Sequence, residues 1–140
     1  MDIVEHRRQE YLVSTDKARL DIAAVQDFLN NGTYWARNRS LETITKSVEN
    51  SLCFGLYRGD EQVGFARVVT DYATFAWLCD VIILEAHRGR GLGKWLIQCV
   101  VDHPSLQHML FLLATRDAQD LYTKYGRFRP VDNPDRWMVK

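Results

Sequence analysis

Residues 76–101 change their hydrophobic period half-way along, and this change constrains the fold more than any other feature of the sequence. Residues 76–84 form an almost continuous apolar run, which is typical of a strand buried on both faces of a sheet. From Gly91 onward, apolar side chains recur at helical spacing and predict an amphipathic helix that ends before His103. A buried strand that passes through a glycine-rich turn into a helix indicates an α/β fold.

The rest of the chain also alternates between strand-like and helix-like patterns. Residues 10–15 are typical of a strand, and apolar residues over 20–29 recur at helical spacing up to a stop signal at 30–32. Ser40 is a good N-cap for a second short helix. The remaining predicted elements are a hairpin over 52–72, a strand over 109–115, a helix from Ala118 to Gly126 and a final strand over 136–140. The order β-α-α-β-β-β-α-β-α-β predicts a mixed sheet covered by helices.

Charge and length narrow the possible functions. The 140 residues include 18 Lys or Arg and 18 Asp or Glu, so no overall field draws the protein to nucleic acid or to an anionic membrane. A site for an anion must therefore be local. No apolar run approaches membrane-spanning length, and the N-terminus lacks the apolar segment of a signal peptide. We expect one domain over residues 1–140 that acts in the cytoplasm.

The cysteines and histidines do not follow the pattern of a disulfide framework or a metal site. Cys53, Cys79 and Cys99 are odd in number, far apart and outside any C-x-x-C pair, which favours reduced thiols. The four histidines show no ligand spacing, so no metal is expected. No histidine stands near Cys79 in the sequence, and we expect this residue to be a small apolar side chain rather than a nucleophile.

The turn over residues 88–94 has the composition of an anion site. A glycine-rich turn between a strand and a helix exposes backbone N–H groups at the positive end of the helix dipole, where phosphate binds well. Arg88, Arg90 and Lys94 could add charge-assisted hydrogen bonds. Glycines also serve tight turns and close helix packing, so the pattern alone leaves both uses open. Trp95 after Lys94 excludes a P-loop, and the even spacing of Gly89, Gly91 and Gly93 excludes a dinucleotide-binding fingerprint.

Two motifs of the sequence are typical of one family. Residues 88–93, RGRGLG, have the pattern Q/R-x-x-G-x-G/A between a strand and a helix, and residues 118–126 are similar to an A-x-x-L-Y-x-K-x-G-F segment, with Arg127 inserted before Phe128. In both motifs the chain resembles the GNAT acetyltransferase superfamily. The resemblance extends from about Tyr11 to the C-terminus. It implies a GNAT-like mixed, mostly antiparallel central sheet with helices on both faces.

The resemblance implies acetyl-CoA as the acetyl donor. Its pyrophosphate would lie on the amides of the turn and its pantetheine arm along the strand that ends at Leu84, where a backbone N–H would polarise the thioester carbonyl. Many relatives have Asn where this chain has Thr115, which keeps a hydrogen-bonding group but changes that contact. The residues expected to contact acetyl-CoA are Val81, Ile82, Ile83, Arg88, Gly89, Arg90, Gly91, Leu92, Gly93, Lys94, Thr115, Ala118 and Tyr122.

Two residues are candidates for proton transfer. Tyr122 matches the family's Tyr that protonates the CoA thiolate, although its position on the apolar face of the last helix is equally typical of a core residue. Asp80 is the sole charge in an apolar strand, so it requires a raised pKa or a fixed partner. It is a candidate general base by environment alone, and a structural carboxylate is the alternative.

Residues 34–39, YWARNR, join two predicted helices where relatives build the wall of the acceptor site. Tyr34, Trp35, Arg37 and Arg39 are therefore candidate acceptor contacts, although such a segment can simply cover a helix connection. The arginines favour a small amine with an acidic or polar group over a polyamine. The resemblance thus implies an N-acetyltransferase that moves acetyl directly to an amine, with a non-catalytic acyl-CoA-sensing module as the alternative. Oligomeric state stays open, including a homodimer.

Overall fold

The computed structural model describes residues 2–140, in which a six-stranded sheet carries helices on both faces. Within these residues the strands are β1 (Glu5–Arg8), β2 (Tyr11–Ser14), β3 (Leu52–Arg58), β4 (Glu61–Thr70), β5 (Phe75–Ile83) and β6 (Leu110–Leu113). The α-helices are α1 (Ile22–Gly32), α2 (Leu41–Glu49), α3 (Leu92–Val101) and α4 (Gln119–Gly126).

The strands lie in sequence order across the sheet, from β1 at one edge to β6 at the other. Neighbours pair antiparallel except β5 and β6, which are parallel because α3 crosses over between them. The expected mixed, mostly antiparallel sheet with helices on both faces is confirmed.

Side-chain caps mark the start of α1 and α2, whereas α3 and α4 begin without one, and the helices pack by their apolar faces. Asp21 caps α1 by accepting from the Ala24 N–H at 3.0 Å, and Ser40 caps α2 by accepting from the Thr43 N–H at 3.1 Å. Helices α1 and α2 share a buried cluster with Phe65 on one face of the sheet. Helix α3 packs into the larger cluster on the other face, with α4 beside it.

Strand β5 contains a β-bulge at Cys79, next to the site described below. Arg67 pairs with Asp80 and Val68 pairs with Leu78, so Cys79 is an extra residue on β5. The parallel pairing of β5 with β6 also ends here, at Leu78 and Leu113, whereas β5 continues to Ile83. The two strands therefore leave a gap beyond their last pair.

The two ends of the chain differ from the predictions. The prediction of a final strand over 136–140 is wrong. Residues 134–136 form a 3₁₀ turn and Trp137 is 51% exposed. In the described chain, no residue after Trp137 pairs with the sheet. Strand β1 was not predicted, because all four of its side chains face solvent and show no apolar alternation. Its pairing with β2 alone defines it as a strand.

Candidate functional site

A cleft of about 780 Å³ opens in the gap between β5 and β6. Because it passes through the plane of the sheet, both helix layers contribute to its walls. The α3 and α4 side supplies Leu92, Gly93, Leu121 and Tyr122, and the α1 and α2 side supplies Gly32, Tyr34, Trp35 and Arg39. The predicted cofactor residues of α3 and α4 therefore lie on one side of the cleft, and the predicted acceptor residues Tyr34, Trp35 and Arg39 lie on the other.

The edge of β5 that faces the gap carries free backbone groups. The Leu84 N–H donates to the Val63 carbonyl of β4 at 2.8 Å. Since successive strand residues direct their N–H groups to opposite edges, the N–H groups of Val81 and Ile83 point away from β4 and into the gap. The Ile83 carbonyl faces the same way, and it accepts from Nε of Arg88 at 2.9 Å.

The turn after β5 has the backbone conformation and the open space of an anion site. Gly89 and Gly91 have φ angles of 80° and 76°, in the left-handed region that favours glycine. A Cβ added at Gly89 would meet no other protein atom within 4 Å, and one at Gly91 would meet only the Arg8 guanidinium at 3.7 Å. Gly91 is the N-cap of α3, so the first N–H groups of that helix have no partner within it.

The three cations of the turn have different surroundings. Arg88 and Lys94, two of the predicted phosphate contacts, line the cleft. Arg90 is outside the lining, and its Nη1 instead donates to the Tyr11 hydroxyl at 2.9 Å. The same hydroxyl lies 3.0 Å from Nδ1 of the buried His87. Arg90 therefore ties the turn to β2, a long-range contact that the sequence did not indicate.

Tyr122 lies half-buried in the wall of the cleft, with its ring edge-on to Phe128 at 6.1 Å. Burial, with a smaller contribution from the nearby Tyr34, raises the pKa of Tyr122 to about 12. The phenol is thus protonated at neutral pH. The side chain combines both predicted features, because it packs against the core and also faces the cleft.

Asp80 is fully buried and has fixed partners on both carboxylate oxygens. Oδ2 accepts from Nε of Arg67 at 2.7 Å and from Nη1 of Arg39 at 3.1 Å. Oδ1 accepts from Nε1 of Trp35 at 2.9 Å. The fixed partners that the sequence analysis allowed for this carboxylate are therefore present. Asp80 stands behind the cleft wall and does not line it.

The acceptor segment divides into residues that line the cleft and one that does not. Tyr34, Trp35 and Arg39 are in the lining. Arg37 is exposed and outside it, and its Nε donates to the Thr33 carbonyl at 2.9 Å. The guanidinium of Arg116, a residue without a predicted role, lies 3.8 Å from the centre of the Tyr34 ring.

The loop after β6 completes the wall beside Tyr122. Thr115 and Ala118 line the cleft, and Oγ1 of Thr115 accepts from the Ala118 N–H at 3.1 Å. The Thr115 hydroxyl therefore organises the start of α4 in addition to its predicted place beside the cofactor.

Cys79 also lines the cleft, next to the bulge. Burial raises the pKa of its thiol to about 11, so it is not a thiolate at neutral pH. Over residues 2–140, no group of three His, Cys, Asp or Glu side chains could hold a metal ion. None of the described helices is long and apolar enough to cross a membrane.

Arg67 is the main site residue that sequence analysis missed. It is the sole Lys or Arg in β4 and its side chain is only 12% exposed, opposite Asp80 on the next strand. Two opposite charges in adjacent apolar strands were a usable signal for this pair. For Tyr11, His87 and Arg116, nothing in the local pattern indicates a site.

Comparison with known proteins identifies the family. The sequence profile of the Acetyltransferase (GNAT) family matches residues 20–126. The chain belongs to the GNAT acetyltransferase family. The match covers both helix layers and the cleft between them.

Individual relatives agree with this assignment. A crystallised candidate acetyltransferase of the GNAT family from Xanthomonas campestris pv. campestris is 45% identical, with a TM-score of 0.89 over 93% of this chain and 92% of that one. A candidate acetyltransferase of Gibberella zeae is 34% identical over 84% of this chain and 78% of its own length. An Elizabethkingia anophelis GNAT protein crystallised with acetyl-CoA bound is 16% identical, with a TM-score of 0.65 over 89% and 80% of the two chains, and shows the shared fold alone.

Proposed function

We propose that this GNAT protein is an acetyl-CoA-dependent N-acetyltransferase that moves acetyl directly to the amine of a small molecule. The observation that carries the proposal is the cleft through the sheet, which joins a glycine-rich turn on one side to an aromatic and cationic wall on the other. Two reactants can therefore meet in the gap from opposite sides. We treat residues 1–140 as one acetyltransferase domain acting in the cytoplasm, in keeping with three free cysteines.

The turn fits the pyrophosphate of acetyl-CoA. Open space in front of Gly89 and Gly91 leaves room for phosphate oxygens, and the unpaired N–H groups at the start of α3 are suitable donors. Arg88 and Lys94 supply positive charge from the cleft wall. Acetyl-CoA, when bound, supplies an activated acetyl thioester. Val81, Ile82, Ile83, Thr115, Ala118 and Tyr122 line the remaining path along the gap.

Two groups of the chain can assist the transfer. The N–H groups of Val81 and Ile83 face the gap and can donate to the oxygen of a carbonyl that gains negative charge. Tyr122 keeps its proton at neutral pH and can donate it to a departing thiolate. Direct transfer is favoured over an acetyl-cysteine because the Cys79 thiol in the cleft is not ionised.

Asp80, the sequence candidate for the base, is better assigned to positioning. Its oxygens are engaged by Arg67, Arg39 and Trp35, and it does not face the cleft. A general base needs a lone pair within reach of the substrate proton. Asp80 therefore does not take the proton of the acceptor amine directly.

The charge around Asp80 favours an acceptor with an acidic or polar group. Arg67 and Arg39 bring two positive charges to one carboxylate, so one is left uncompensated by this cluster. Arg39 lines the cleft and uses only Nη1 in the ion pair, which leaves other donors for a carboxylate or phosphate. A polyamine would be repelled by the same charge.

Thiol release from acetyl-CoA in the presence of an amine panel tests the proposal. The panel should contain amino acids, their amides, polyamines and lysine peptides, with product identification by mass spectrometry. We expect amine-dependent thiol release and an N-acetylated small molecule. Tight CoA binding without transfer to any amine would instead indicate the acyl-CoA-sensing module.

A further inference from the structure

The gap between β5 and β6 is spanned by a continuous row of side chains on its acceptor side. Arg116 follows β6, and its guanidinium lies 3.8 Å from the centre of the Tyr34 ring. The Tyr34 and Trp35 rings meet edge to face at 5.1 Å. Trp35 then donates to Asp80 on β5 at 2.9 Å. The row thus reconnects two strands whose backbone pairing has already ended.

We propose that this row, called the arch, positions the acceptor amine, and that Arg116 is the positioning residue that holds it closed. The inference rests on the proposed function and deepens it. The Tyr34 ring lines the cleft and is close enough to Tyr122 to affect the pKa of that phenol. A contact that holds the Tyr34 ring in place therefore also holds in place the wall of the cleft near Tyr122. The arch consists of Arg116, Tyr34, Trp35 and Asp80.

The two ends of the arch are held with very different strength. Asp80 is fully buried and tied to two arginines, so this end is fixed. The Arg116 side chain is 65% exposed, and its contact with the neighbouring Asp117 is long, at 3.9 Å. An exposed cation–π contact is weak enough to open readily. The acceptor therefore enters by displacing Arg116 from the Tyr34 ring. When Arg116 returns, it holds Tyr34 against the bound amine.

Amide hydrogen exchange of the ligand-free protein tests the arch without any turnover. Arg116→Ala should speed exchange of residues 33–39 about two- to fivefold, the range expected for loss of an exposed cation–π contact. Exchange in α2 should not change. Arg129→Ala is the matched control, because Arg129 is also exposed and pairs with Asp132 away from the cleft. Unchanged exchange of residues 33–39 in Arg116→Ala would overturn the arch.

Steady-state kinetics with an acceptor from the panel test the positioning role. We expect Arg116→Ala to raise the acceptor KM about three- to tenfold while the CoA Kd stays unchanged. Arg116→Lys, which keeps a cation over the ring, should recover part of the loss. The double variant Tyr34→Ala with Arg116→Ala should be no worse than Tyr34→Ala alone, since both remove the same contact.

The outcomes separate this inference from the proposed function. Arg116→Ala could show faster hydrogen exchange and yet the same acceptor KM as Arg129→Ala. This result would overturn the positioning role and leave the arch as a structural contact only. Additive losses in the double variant would overturn the pairing of Arg116 with Tyr34. Absence of transfer to any amine by the parent protein would overturn the proposed function and the positioning role together, while the exchange result would still decide whether the arch exists.

Discussion

The proposed cofactor end and the proposed acceptor end of the cleft are built in different ways. Most of the proposed cofactor end comes from one continuous stretch, residues 81–94, in which a strand runs through a glycine turn into a helix, and Thr115 and Ala118 complete it. The acceptor end depends on Asp80, Arg67, Arg39 and Trp35, which come from two strands and a loop. The first end is therefore specified by local backbone conformation, and the second by a buried charge cluster that forms only when distant segments meet.

The largest effect should follow from breaking that cluster. Asp80→Asn keeps the shape of the side chain but leaves two arginines facing a neutral group, and we expect the free energy of unfolding to fall by about 3–5 kcal/mol. Denaturant unfolding measures it. Asp102→Asn is the control, because Asp102 meets Arg127 at 3.0 Å on the surface and should contribute at most about 1 kcal/mol. Equal losses in the two variants would mean that the cluster does not hold the acceptor end.

Between the two ends lies Tyr122, whose removal should affect the chemical step. Tyr122→Phe keeps the ring and its packing and removes the hydroxyl, so kcat should fall about 100-fold while the CoA affinity changes little. Tyr125→Phe, on the same helix, is the matched control. A parental kcat for Tyr122→Phe would leave Tyr122 as a core residue only.

The pH dependence of kcat/KM tests the protonation state of the Tyr122 hydroxyl. Because burial raises the pKa of Tyr122 to about 12, the protonated phenol persists above its ordinary range near 10 and is lost only as the pH approaches 12. We expect kcat/KM to rise with pH as the amine loses its proton, without a falling limb centred near 10. A falling limb there that vanishes in Tyr122→Phe would contradict the raised pKa.

At the cofactor end, Gly91→Glu should weaken CoA binding at least tenfold, about 1.4 kcal/mol, by placing a negative charge and a side chain where phosphate is expected. Calorimetry measures the affinity. Gly59→Glu is the control for backbone strain, since Gly59 also has a positive φ of 59° and lies in the β3–β4 turn with open space around it. Equal CoA affinity in the two variants would exclude the turn as the phosphate site.

The smallest effect is expected at the acceptor end. Arg39→Ala should raise the acceptor KM about three- to fivefold without changing the KM for acetyl-CoA, as expected for the loss of uniform binding at one subsite. Arg37→Ala should have no effect on either constant, because Arg37 lies outside the cleft. A larger effect from Arg37 than from Arg39 would reverse the assignment of the two arginines.

The same contrast explains what could be predicted from the sequence. The change of period at Gly91 and the cap at Ser40 are local signals, and they gave the helices, the fold class and the turn correctly. The ion pair of Asp80 with Arg67 depends on strand register, which a bulge at Cys79 shifts by one residue. Local periodicity cannot place such a bulge.

The two ends of the chain also show that a local sequence pattern does not decide whether a strand forms. Residues 136–140 have the pattern of a strand but find no partner, whereas residues 5–8 have no strand pattern and pair fully with β2. Strand formation at an edge depends on the available neighbour more than on the composition of the segment.

A crystal structure with CoA bound would test the central claim most directly, that the cleft between β5 and β6 carries the donor from the turn to Tyr122. We predict that the pyrophosphate accepts hydrogen bonds from the amides of residues 89–94 and that the thiol lies beside the Tyr122 hydroxyl. CoA bound elsewhere, for example in the second groove lined by Phe111 and Phe128, or with its thiol directed away from Tyr122, would contradict it.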